Sequence, residues 1–84
     1  MRLTYRTMRV LLAIADHPGA TNREVAEHSD TKDEGQMSRL LGRLQDHTLI
    51  ENIGGGKPRG GTNAWRLTER GEAVRRLIDH WQGR

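Results

Sequence analysis

Apolar residues recur at helical spacing from the start of the chain. Tyr5, Met8, Leu11, Leu12 and Ala15 share one face, and Val10 and Ile14 widen the stripe, as in an amphipathic helix. His17-Pro18-Gly19 stops it, since proline and glycine both break helices. Thr21-Asn22-Arg23-Glu24 is a capping-box pattern, with Thr21 as N-cap and Glu24 reaching back, and it opens a short second helix containing Val25 and Ala26. Residues 29–32 read as a turn. A third helix is predicted over about 33–47, with two competing starts: a box over Thr31 to Glu34, or Asp33 with Gln36. Met37, Leu40, Leu41 and Leu44 form its apolar stripe; Gly35, Ser38, Arg39, Gly42, Arg43 and Asp46 fall opposite, with Gln36 on the flank.

The period then changes. Residues 49–53 and 64–67 read as two short strands, with Trp65 and Leu67 on one face and Arg66 on the other. Between them runs Gly54-Gly55-Gly56-Lys57-Pro58-Arg59-Gly60-Gly61, five glycines in eight residues with two cations and no acid. Such a run breaks regular structure and reads as a flexible basic hairpin tip. Thr68 caps a last helix from Glu69 to about Trp81, whose stripe is Val74, Leu77, Ile78 and Trp81. The predicted order is helix-helix-helix-strand-strand-helix: mainly α with a small β-hairpin, the outline of a winged helix-turn-helix. All 84 residues are expected to form one domain.

Composition narrows the classes. Hydrophobic residues make up 33% and charged residues 30%, yet the apolar ones are periodic, which argues against general disorder. The absence of cysteine rules out disulfides and thiolate metal sites and fits a reducing compartment. No apolar run reaches the length of a membrane span, so a cytoplasmic location is expected. The net charge of +3 is unevenly placed. Residues 1–15 carry three arginines and no acid, residues 16–30 sum to −3, residues 31–47 balance, and residues 54–66 carry Lys57, Arg59 and Arg66 with no acid.

Two cationic features point to nucleic acid. Arg39 and Arg43, four apart on the outer face of the third helix, are placed to reach bases or phosphates; Gln36 suits an adenine edge and Ser38 a phosphate. Gly42 on that face permits close approach to a duplex. Lys57-Pro58-Arg59-Gly60 is like a minor-groove arm, where arginine is drawn to a narrow groove. It is not a phosphate-binding loop, because Lys57 is followed by proline and the run leads into a strand. His17, His28, His47 and His80 show no ligand spacing, so no metal or cofactor is expected, and no nucleophile motif marks an enzyme. The last helix is open to two uses: packing on its own core, or pairing two copies through Val74, Leu77, Ile78 and Trp81.

Four ordered pieces then carry a family resemblance: Thr21-Asn22-Arg23-Glu24-Val25-Ala26-Glu27, Gln36-Met37-Ser38-Arg39-Leu40-Leu41-Gly42-Arg43-Leu44, Leu49-Ile50-Glu51 and Trp65-Arg66-Leu67-Thr68-Glu69-Arg70-Gly71. Together they resemble MarR-like winged-helix regulators, over about residues 7 to 75. The resemblance implies a recognition helix at about 34–47, with Gln36, Ser38, Arg39 and Arg43 facing DNA, and a wing at about 50–67 with Lys57 and Arg59 at its tip. Three positions depart from the family pattern. Asp30-Thr31 replaces a small and then an aliphatic residue, which is expected to loosen the helical pair. The turn is one residue longer than usual. Thr48 stands where glycine often closes the recognition helix, so its usual C-cap is expected to be missing. The function expected is sequence-specific duplex DNA binding as a bacterial transcriptional regulator. The alternative is a winged-helix module that assembles a protein complex without touching DNA, favoured by the neutral third helix and by Glu24, Glu27 and Asp30.

Overall fold

The computed structural model describes residues 3–54 and 63–83. Helix α1, Tyr5–Asp16, begins at Thr4, whose hydroxyl accepts from the Thr7 amide at 3.2 Å. It buries Thr7, Val10, Leu11, Ala13 and Ile14. The inward face is thus turned away from Tyr5, which stays 64% exposed. On the exposed face, Arg9 Nη1, one turn on, donates to the Tyr5 hydroxyl oxygen at 3.2 Å.

Helix α2, Asn22–His28, makes both halves of the expected capping box: the Thr21 amide donates to Glu24 Oε1 at 3.0 Å, and the Glu24 amide to Thr21 Oγ1 at 3.1 Å. The bond from the Thr21 backbone holds the exposed Glu24 carboxyl below its ordinary range. Helix α3, Glu34–Asp46, starts from Asp33, which accepts from the Gln36 amide at 3.0 Å. Of the two competing starts, the later one therefore forms. The Thr31 hydroxyl instead bonds the Ser29 hydroxyl at 3.1 Å, and Ser29 also donates to the Val25 carbonyl at 2.7 Å.

Both helices of this pair end the same way. At the end of α2, the Thr31 amide donates to the Ala26 carbonyl at 2.9 Å and the Asp30 amide to Glu27 at 3.3 Å. At the end of α3, the Leu49 amide donates to Leu44 at 3.0 Å and the Thr48 amide to Gln45 at 2.9 Å. These are the paired bonds of the Schellman motif, which places the residue after the cap in the left-handed region. Asp30 has φ 56° and Thr48 φ 61°. The expectation that α3 lacks its C-cap is thus corrected. The backbone closes as it would with glycine, and Thr48 bears the strain of a β-branched residue at positive φ.

Strands β1, Ile50–Asn52, and β2, Trp65–Leu67, pair antiparallel, with Ile50 opposite Leu67, Glu51 opposite Arg66 and Asn52 opposite Trp65. Each is shorter than expected. A single bridge from Ala20 to Trp65 extends the sheet on the far side of β2. There Gly19, at φ 87°, donates to the Trp65 carbonyl at 2.8 Å, and the Trp65 amide donates to Ala20 at 2.9 Å.

Helix α4, Glu69–Gln82, is capped by Thr68. The Thr68 hydroxyl accepts from the Gly71 amide at 3.1 Å and donates to the Thr48 carbonyl, tying the end of α3 to the start of α4. Gly71 is needed for this approach, because a Cβ there would collide with the Leu49 carbonyl. The core joins Val10, Leu11 and Ile14 of α1, Val25 of α2, Met37, Leu40, Leu41 and Leu44 of α3, Leu49, Ile50, Trp65, and Ile78 of α4. The predicted α4 stripe divides. Ile78 is fully buried and Val74 packs against the core, whereas Leu77 and Trp81 are 51% and 60% exposed. Among the described residues no helix is long and apolar enough to cross a membrane.

Candidate nucleic-acid interface

Four buried side chains fix how α3 sits: Met37, Leu40, Leu41 and Leu44 anchor one face. Full burial of each such side chain contributes on the order of 1.5–3 kcal/mol, so this helix cannot rotate without losing much of the core. Its opposite face is therefore set, and Gln36, Ser38, Arg39 and Arg43 all lie exposed on it.

The structure divides those four residues between two grooves. Gln36, Arg39 and Arg43 follow the three-and-four spacing of one helix edge. They line a groove with Thr4, Arg6 and Thr7 from the start of α1. Arg6 Nη1 donates to Gln36 Oε1 across this groove. Ser38 turns the other way, into a cleft between α2 and α3 lined by Arg23, Ala26, Glu27, Thr31 and Met37. Arg6 is absent from the sequence-derived set. Its signal is the acid-free arginine run at the start of the chain, but only the packing of α1 against the rest of the fold brings Arg6 beside α3.

Gly42 lies between the Ser38 and Arg39 edges, and a Cβ built there would meet nothing within 4 Å. The domain's own packing gives no reason for a glycine at this point of the helix.

The root of the hairpin is held by a chain of amides. Trp65 Nε1 and Asn63 Nδ2 both donate to Asn22 Oδ1, at 2.5 and 3.3 Å. Asn52 Nδ2 donates to Asn63 Oδ1 at 2.7 Å, and Asn52 Oδ1 accepts from the Ala64 amide at 3.1 Å. The first residue of α2 is thereby tied to both strands. Lys57 and Arg59 lie outside the described residues. Arg66, counted with the basic loop in the sequence, pairs with Glu51 across the strands, so its charge is matched locally.

Two other features bear on chemistry. Among the described residues no three His, Cys, Asp or Glu side chains converge as a metal site. The His17 and His28 rings stack at 3.6 Å and 8°, joining the ends of α1 and α2. On α4, Arg75 bridges Glu72 and Asp79, and the hydrogen bond to Glu72 raises the pKa of its guanidinium.

A helix pair with an outward polar face, followed by a hairpin and a closing helix, defines a winged helix-turn-helix domain. Its fold is that of the MarR-family transcription regulators. A solved structure of MarR is 32% identical, with a TM-score of 0.76 over 90% of this chain and 54% of that one. Another MarR-family transcription regulator is 27% identical, with a TM-score of 0.81 over 95% of this chain and 52% of that one. The fold is shared also by FabT of Streptococcus pneumoniae, solved in complex with DNA: 20% identity and a TM-score of 0.80 over 96% of this chain and 55% of that one. The chain spans about half the length of the structures it matches. No protein-family model and no curated protein matches it.

Proposed function

We propose that this domain binds duplex DNA sequence-specifically as the reading head of a bacterial transcriptional regulator. One observation carries the reading. Gln36, Arg39 and Arg43 converge with Arg6 on an exposed groove of a helix whose other face is locked in the core. The likeness to solved regulators supports it, since the fold is one that DNA-binding regulators use.

In this reading α3 enters the major groove, Gln36, Arg39 and Arg43 meet base edges or phosphates, and Ser38 meets the backbone from the α2 side. Lys57 and Arg59 supply wing contacts to the minor groove or the flanking phosphates. The amide chain pins the root of the hairpin to α2. The assembly reading is a homodimer on a two-fold site. Of the four α4 residues, Leu77 and Trp81 are the ones exposed to form that contact.

A mobility-shift titration at low salt tests the reading. DNA binding predicts a shift of genomic or random fragments at micromolar protein or below, weakened steeply by salt. No shift under those conditions would favour a protein-assembly module. That alternative draws on the acidic positions Glu24, Glu27 and Asp30 and on the cleft between α2 and α3.

A further inference from the structure

We propose that Arg6 determines specificity: by holding the carbonyl of Gln36 it makes that side chain a hydrogen-bond donor toward DNA, selecting guanine or thymine over adenine. The inference rests on the DNA-binding reading above. A guanidinium carries five N–H donors and no acceptor. The end of the Gln36 amide that meets Arg6 must therefore be its oxygen, and Arg6 Nη1 donates to Oε1. The Nε2 amino group is left to face other partners.

The position of Gln36 makes this consequential. Asp33 caps α3 and accepts from the Gln36 backbone N–H, so Gln36 sits in the first turn. In a helix-turn-helix, the N-terminal residues of the recognition helix contact base edges. Adenine presents one donor and one acceptor in the major groove, and an amide reads it by offering both its oxygen and its amino group. Guanine presents two acceptors, N7 and O6, and thymine presents O4. Arg6 takes one lone pair of the Gln36 oxygen and holds that oxygen toward α1, so the amino group leads toward the duplex. Guanine and thymine meet it with acceptors, whereas adenine sets its N6 donor beside N7 against it. Arg39 and Arg43 line the same groove, so Arg6 and Gln36 belong to the surface that would approach the duplex.

The test is selection from random duplexes with the wild type, Gln36→Ala and Arg6→Met, followed by affinities on single-base variants of the selected site at two salt concentrations. Both side chains are exposed, so coincident thermal melts are expected and confirm that the variants fold. Gln36→Ala should erase the preference at one base pair, where the wild type specifies guanine or thymine. Arg6→Met should change the preference at that same pair, toward adenine or toward none, by about fivefold or more. Three outcomes overturn the inference alone: adenine specified by the wild type at that pair, a motif unchanged by Arg6→Met, or an even loss of affinity over all bases with a shallower salt slope. The last would make Arg6 a phosphate contact. If the wild type enriches no motif, the DNA-binding reading fails and this inference falls with it.

Discussion

Two single residues depart from what their backbone would favour, and each carries a prediction. Thr48 holds a left-handed conformation at φ 61°. That conformation costs a residue with a Cβ roughly 1–2 kcal/mol, while glycine adds about 0.4–1 kcal/mol of unfolded-chain entropy. On balance the strain is the larger, so Thr48→Gly should raise stability by up to about 1 kcal/mol, seen as a Tm increase of at most about 4–8 °C. A lower Tm would mean that the Thr48 side chain makes compensating interactions. Gly42 is the opposite case. Nothing in the domain occupies the space of its Cβ, so Gly42→Ala should stabilise α3 by roughly 1 kcal/mol. If the helix backbone lies against a duplex, the same change should weaken DNA binding several-fold. Higher stability with unchanged affinity would place this face away from the DNA.

At the scale of elements, what the sequence made legible was local. Helix starts at Thr21 and Thr68 are short-range hydrogen bonds written in three or four consecutive residues, whereas for α3 the sequence offers two such starts and the structure takes the one at Asp33. The α3 stripe is a periodicity, and the whole stripe is buried. What stayed hidden depends on packing between elements. No spacing encodes that Arg6 lies beside Gln36, thirty residues away, or that Ala20 bridges Trp65 to extend the sheet. The α4 stripe likewise reads as one face, but its neighbours bury Ile78 and leave Leu77 and Trp81 outside. The wing carries its own prediction. Arg66 is matched by Glu51, so in the proposed complex the wing's attraction for DNA would fall to Lys57 and Arg59. Replacing both with alanine should weaken binding and flatten the log-affinity against log-salt slope by about 2 units, near 0.9 for each phosphate no longer neutralised. An unchanged slope would remove the wing from the interface.

For the molecule as a whole, the net charge of +3 understates how the cations are arranged. Arg23 pairs with Glu27, Arg66 with Glu51, and Arg75 with both Glu72 and Asp79. The groove between α1 and α3 gathers Arg6, Arg39 and Arg43. Such a cationic groove attracts a polyanion and favours one orientation on arrival. Assembly would use another surface, on α4. If copies pair through Leu77 and Trp81, then Leu77→Gln with Trp81→Gln should shift sedimentation from dimer to monomer. Stability should barely change, since both side chains are already largely exposed. A wild type that sediments as a monomer at all concentrations would dismiss this pairing.

The amide chain at the hairpin root has an optical consequence. Its indole, Trp65, is buried and donates to Asn22, whereas the molecule's other tryptophan, Trp81, stands 60% exposed. A soluble quencher such as iodide should therefore extinguish the emission of Trp81 and leave that of Trp65. With Trp81→Phe, the remaining fluorescence would report on the hairpin root during a DNA titration; with Trp65→Phe, it would report on the exposed end of α4 in a test of pairing. The chain thus carries two built-in probes, one for each proposed contact, without any added label.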